Sequence, residues 1–147
     1  MKRLRTVALA FLSLMALQVG IWAQFAPHSF YRSFPGSGRR WIGADGPYNE
    51  HLIRDVGGLN LALAALTIAA LVWKSQHLVR ISGIAWLIYS APHVIYHAAH
   101  TERLNSTSDQ VVSVGFLAIF ALLGAALAVA PRQRSTTDSL PVAATER

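Results

Sequence analysis

Four runs of mostly apolar residues, 7–25, 56–73, 81–99 and 111–130, constrain this chain more than anything else in it. Each is close to the roughly 20 residues that an α-helix needs to cross the hydrocarbon core of a bilayer. In lipid a backbone N–H or C=O has no water to bond, so a spanning segment must satisfy these groups within itself, as a helix does. The expected fold is therefore all-α, an integral membrane bundle of four transmembrane helices. It occupies residues 1–130, with an outer loop over 26–55 and a disordered cytoplasmic tail over 131–147. Hydrophobic residues make up 53% of the chain and charged ones 14%, a balance that excludes an ordinary soluble globule. At 147 residues there is no room for a second core.

Lys2, Arg3 and Arg5 precede the first run in the manner of a secretory signal. The apolar stretch is long for a signal, and Ile21-Trp22-Ala23-Gln24-Phe25 offers no small-x-small cleavage site, so a retained helix is expected. An even number of spans puts both termini on one side. Lys2, Arg3, Arg5, Lys74, Arg80, Arg132, Arg134 and Arg147 then face Arg32, Arg39, Arg40, Arg54 and Arg103 across the membrane, eight against five. The excess predicts cytoplasmic termini in the cell membrane. Five of the six histidines fall on the outer side, with only His77 inside.

The net charge of +6 does not point to nucleic acid, because the basic residues are scattered at segment ends rather than gathered into a stripe. The expected partners are the lipid bilayer and, through helix faces, other membrane subunits or a second copy. With no cysteine, disulfides, thiolate ligands and cysteine nucleophiles are excluded. The first outer loop carries Phe30, Tyr31, Phe34, Trp41 and Tyr48 among Pro27, Pro35, Gly36, Gly38, Gly43, Gly46 and Pro47. Those prolines and glycines predict a turn-rich cap, either an interfacial aromatic belt or a lid. Small residues form stripes at Ser13, Ala16, Gly20 and Ala23, at Gly58, Ala62, Ala65 and Ala69, and at Ala118, Ala121, Ala125 and Ala128. Such stripes allow the close helix approach that holds bundles together in lipid.

Chemistry concentrates at two places. The third span ends in Pro92-His93-Val94-Ile95-Tyr96-His97-Ala98-Ala99-His100, where spacings of four and three put three imidazoles within roughly 60° of one another on a helix. The second span is introduced by Glu50-His51-Leu52-Ile53-Arg54-Asp55. The tight loop 74–80 makes these spans antiparallel neighbours, so His51 and Asp55 are expected level with His97 and His100. Imidazole and carboxylate suit zinc, copper(II) or non-haem iron. The candidate metal ligands are His51, Asp55, His93, His97 and His100, with His93 alternatively orienting another histidine. Glu50 is the candidate base if a metal-bound water reacts, with Asp109 and Glu102 behind it. Pro92 is expected to kink the third span just before the histidines. Arg54 beside Asp55 is either a structural ion pair or a means of keeping the carboxylate ionised. Two alternatives stay open: a b-type haem between His51 and a histidine of the third span, serving electron transfer, and an accessory or scaffold subunit whose histidines only pack. Histidine-box desaturases and hydroxylases need more boxes than one helix supplies.

The run Gly46-Pro47-Tyr48-Asn49-Glu50-His51-Leu52-Ile53-Arg54-Asp55-Val56-Gly57-Gly58-Leu59-Asn60-Leu61-Ala62-Leu63, with the Pro92–His100 motif, resembles small four-helix membrane proteins common in actinobacteria. The resemblance covers about Phe30 to Ala130; it implies a bundle of four spans and an actinobacterial source, and no activity. The Arg-Asp-x-Gly-Gly start of the second span is similar, more loosely, to DoxX-like small membrane proteins, a group with redox-associated members.

Overall fold

The computed structural model describes residues 2–104 and 106–129. In chain order these form α1 (Lys2–Phe25), α2 (Pro27–Ser33), α3 (Trp41–Asp45), α4 (Glu50–Trp73), α5 (Gln76–Ala99), one 3-10 turn (Thr101–Arg103) and α6 (Thr107–Ala128). The fold is an all-α bundle, and α1, α4, α5 and α6 are each long and apolar enough to cross a membrane. Helix α5 is the least apolar of the four. The expected tail over 131–147 lies outside the described residues.

Helix starts differ from the sequence expectation. Helix α4 begins at Glu50, not at 56, because the Asn49 side chain caps it by accepting from the Leu52 N–H at 3.1 Å. The polar run from Glu50 to Asp55 is thus the first turns of a helix rather than the end of a loop.

The long helices associate as two tight pairs, α1 with α4 and α5 with α6, joined through α4 against α5, while α1 and α6 touch little. Glycine sets both pair contacts. A Cβ at Gly57 would lie 2.9 Å from the Gln24 Cα, and one at Gly83 would lie 2.7 Å from the Gly124 carbonyl oxygen. Neither position has space for a larger residue unless the backbones separate.

Ser13, Ala16, Gly20 and Ala23 are all buried, as the first stripe requires. The second stripe does not face inward: Gly58, Ala62 and Ala65 are exposed, and α4 instead buries Gly57, Asn60, Ala64, Thr67 and Ala70. The reason is polar. Asn60 and Thr67 return hydrogen bonds to the Val56 and Leu63 carbonyls, and Thr67 Oγ1 also accepts from Trp86 Nε1 at 2.9 Å across the α4–α5 contact. In the third stripe, Ala118, Ala121, Ala125 and Ala128 are half-buried, and Gly124 and Leu127 make the closest contact.

The main core gathers Leu9, Leu12, Ala64, Val79, Trp86 and Leu127. The outward faces are apolar as well, with Leu14, Ile21, Leu59, Ile84, Ile88 and Leu122 exposed. Helices that are hydrophobic all round belong in a large core or a membrane. At one end of the bundle, α2 and α3 form a cap, with α2 packed on the end of α1 and the start of α4. Phe30 is buried there against Trp22 and Phe34, with ring centroids at 5.8 and 4.7 Å. Two ion pairs tie the cap to the α5–α6 side: Arg39 with Asp109 at 2.8 Å, and Arg103 with Asp45 at 3.7 Å. Asp109 lies off the Arg39 N–H axis, so the first is a charge contact rather than an aligned hydrogen bond. At the opposite end Arg5 donates to Gln76 at 2.7 Å, joining the starts of α1 and α5.

Candidate functional site

Tyr89, His93 and His97 follow one another at a spacing of four and share a face of α5. The Tyr89 and His93 rings meet edge to face at 5.5 Å. The His93 and His97 rings are 4.9 Å apart, and their Nε2 atoms approach to 3.1 Å. A hydrogen bond between two Nε2 atoms requires one ring to carry its proton there and the other to present a lone pair.

All three residues line a cavity of about 530 Å³, within the range of roughly 300–1,000 Å³ that small-molecule sites occupy. Met15 and Val19 of α1, Phe116 of α6, and Phe30, Phe34 and Trp41 of the cap contribute apolar walls. The cavity lies where α1 and α6 fail to pack closely. Phe11 and Phe120 meet across that seam at 6.1 Å, and the lining residues Gln18 and Phe116 are exposed, so the cavity reaches the molecular surface. The aromatic residues Phe30, Phe34 and Trp41 of this loop therefore wall the same cavity as the two histidines.

The polar groups at this wall are few. Arg39 lines the cavity, held by Asp109 and with its guanidinium 6.0 Å from the Trp41 ring centre. Ser113 Oγ donates to the Gln110 carbonyl. The Trp41 indole N–H is buried with no acceptor, an arrangement that normally costs about 1–3 kcal/mol.

The expected five-residue set is not assembled. His51 has an 88% exposed side chain and sits 3.4 Å from Asp55, its own neighbour one turn on. Neither lines the cavity of His93 and His97. His100 is also turned away, because α5 stops at Ala99 and the cap residue leaves the helical path at φ −128°. Its Nδ1 lies 2.8 Å from the Tyr96 carbonyl and its ring stacks on Tyr96 at 4.4 Å. Glu50 accepts from Arg54 at 2.9 Å, away from the cavity. Arg54 pairs with Glu50 and donates to the Gln24 carbonyl, so it does not hold Asp55. Among the described residues no three His, Asp or Glu side chains come together as a metal site would need.

The sequence signal for the pair was present in the Tyr89-His93-His97 spacing. Trp41, Arg39 and Gln18 carried none, since only the closing of the cap and the α1–α6 seam brings them to this wall. An open hollow of about 460 Å³ beside Gln24, Arg54 and Asp55 faces the other flank, and its arginine is already taken.

The fold and site define a class: a four-helix bundle of membrane-length helices with a capped, two-histidine cavity. No protein-family model, curated protein or solved structure matches the chain.

Proposed function

We propose that this is an integral membrane protein that binds a lipid-soluble small molecule at its extracytoplasmic end, with both termini in the cytoplasm. The observation that carries the reading is the His93–His97 pair at the wall of a mostly apolar, aromatic cavity. Ionisable groups at membrane depth are costly and mark functional positions. Apolar pockets with a few convergent polar groups are the usual form of small-molecule sites. The lysine and arginine bias supports the orientation. A C-terminal fluorescent-protein fusion should glow and a C-terminal alkaline phosphatase fusion should be inactive; the reverse pattern would invert the protein.

The binding reading is tested by native mass spectrometry of detergent-purified full-length protein beside Val112→Trp, which places an indole at the cavity wall. A discrete non-covalent adduct should accompany the wild type and be lost from the variant. Equal spectra for two folded proteins would remove the reading.

One observation favours a second reading, a transition metal at His93 and His97. Two nitrogens bound to one zinc at tetrahedral angles lie roughly 3.3 Å apart, close to the 3.1 Å found here. The pair would supply half of such a shell. Elemental analysis of the same sample decides it: stoichiometric metal lost in His97→Ala supports the metal, and metal-free protein that retains its adduct supports the organic ligand.

A further inference from the structure

The histidine pair and the seam together restrict what the cavity can hold. The hydrogen bond between His93 Nε2 and His97 Nε2 consumes one donor and one acceptor. A ligand oxygen that displaces this bond must replace both halves of it, or one nitrogen is left without a partner in an apolar wall. A carbonyl or ether oxygen only accepts, and an ammonium only donates. A hydroxyl does both, accepting from the protonated Nε2 while donating to the bare one. Turning the two rings off their mutual axis lets one oxygen reach hydrogen-bond distance from both nitrogens, which lie 3.1 Å apart here.

The walls decide what bears the hydroxyl. Phe30, Phe34, Trp41, Tyr89 and Phe116 line the same cavity as the pair, and stacked or edge-to-face contacts favour a flat ring over a flexible chain. The buried Trp41 N–H lacks an acceptor, which a second ring oxygen would supply as the cap settles on the ligand. The exposed edge at Gln18 and Phe116 gives a long apolar tail a way out between α1 and α6 into the bilayer.

We infer that the cavity takes the head of a membrane hydroquinone, one ring hydroxyl bridging His93 and His97 and the tail leaving through the α1–α6 seam. The inference rests on the reading of this cavity as a ligand site. It concerns binding alone, with no electron transfer assigned.

The test is the thermal unfolding midpoint of the full chain in dodecyl maltoside, titrated with decylubiquinol, decylubiquinone, the dimethyl ether of decylubiquinol, and 1-dodecanol. Binding to the folded state raises the midpoint with the logarithm of one plus the ratio of free ligand concentration to Kd, so each titration yields a Kd. The quinol should bind at least fivefold more tightly than the quinone, with the ether and the alcohol weaker still. His97→Phe and His93→Phe should keep the ligand-free midpoint within a few degrees and abolish the preference for quinol over quinone. Should either variant fail to fold, His97→Gln, which keeps one amide donor and one acceptor, replaces it and should retain part of the preference. Equal affinity for quinol and quinone would overturn the hydroxyl bridge, and equal affinity for dodecanol would overturn the ring, while both leave the cavity a ligand site. No response to any of the four overturns the hydroquinone. If the native mass spectrum also lacks an adduct, the ligand-site reading falls with it.

Discussion

Several buried polar residues meet a partner on the face they turn inward, whereas the Ser13 hydroxyl and the Trp41 N–H find none among the described residues. Trp86 is the largest fully buried side chain, and its indole N–H would be an unsatisfied donor in the core without Thr67 Oγ1 at 2.9 Å. Interhelical hydrogen bonds of this kind contribute on average about 0.6 kcal/mol in a membrane protein, and up to about 1.7. Thr67→Val keeps the shape and removes the acceptor. It should lower the free energy of unfolding in mixed dodecyl maltoside–dodecyl sulfate micelles by about 1 kcal/mol, whereas Thr67→Ser should stay near wild type. Equal loss in both variants would mean that the methyl group, not the hydroxyl, matters here. The histidines follow the same logic. His93 and His97 satisfy each other, His100 its own helix end, and His51 the carboxylate one turn away.

At the scale of the elements, glycine position separates helix pairing from helix propensity. Gly57 and Gly58 are adjacent on α4, yet they meet different surroundings. A Cβ on Gly57 would press into the α1 backbone at Gln24, while one on Gly58 would make ordinary contact with the Gln24 side chain at 3.8 Å. Gly57→Ala should therefore destabilise the bundle by about 1–3 kcal/mol, the usual range for overpacking. Gly58→Ala should be neutral or stabilising by up to about 1 kcal/mol, since alanine is the better helix former. The two unfolding curves, measured in the same micelles, check this directly. If Gly58→Ala proves the more damaging, the α1–α4 register described here is wrong. The second pair, α5 with α6, depends on Gly83 and Gly124 in the same way.

For the whole molecule, the cap rests on a small hydrophobic cluster around Ala23, Phe30 and Ile53. Its polar ties to the rest of the chain include Trp22 to Ser29, Arg39 to Asp109 and Arg103 to Asp45. The Arg39 side chain is 39% exposed, so its ion pair is screened and contributes at most about 1 kcal/mol. Its loss should show in local exchange rather than in global stability. Arg39→Ala should raise amide hydrogen exchange across residues 34–45 several-fold while leaving α4 and α5 protected, a local opening without global unfolding. Unchanged exchange in that segment would show that aromatic packing alone holds the cap shut.

The extent of the four long helices was legible in the sequence because it depends on local physics: a run of apolar residues, and a backbone that must bond to itself. The missed start of α4 is local too, since Asn49 and Glu50 carry the cap signal, but the polarity of Glu50–Asp55 resembles a loop on an apolarity scale. The inward face of α1 was legible in its stripe Ser13-Ala16-Gly20-Ala23, but that of α4 was not. A helix that is apolar all round gives no preferred rotation, and the row Gly58-Ala62-Ala65 is as smooth as the buried row beside it. The rotation of α4 is settled by Asn60, Thr67 and the Gln24 backbone, contacts that exist only once the neighbours are in place. The same cause divides the histidines. Spacing along α5 was sufficient to pair His93 with His97, because both lie on one rigid element. Bringing His51 and Asp55 to them required a helix rotation that the packing of α4 does not adopt, and keeping His100 with them required a turn of helix beyond Ala99 that is not formed. The sequence alone determined the four long helices and the closeness of the histidines along α5; the tertiary structure decided which of them meet and built the cavity, because its walls come from α1, α5, α6 and the cap, which meet only in the folded chain.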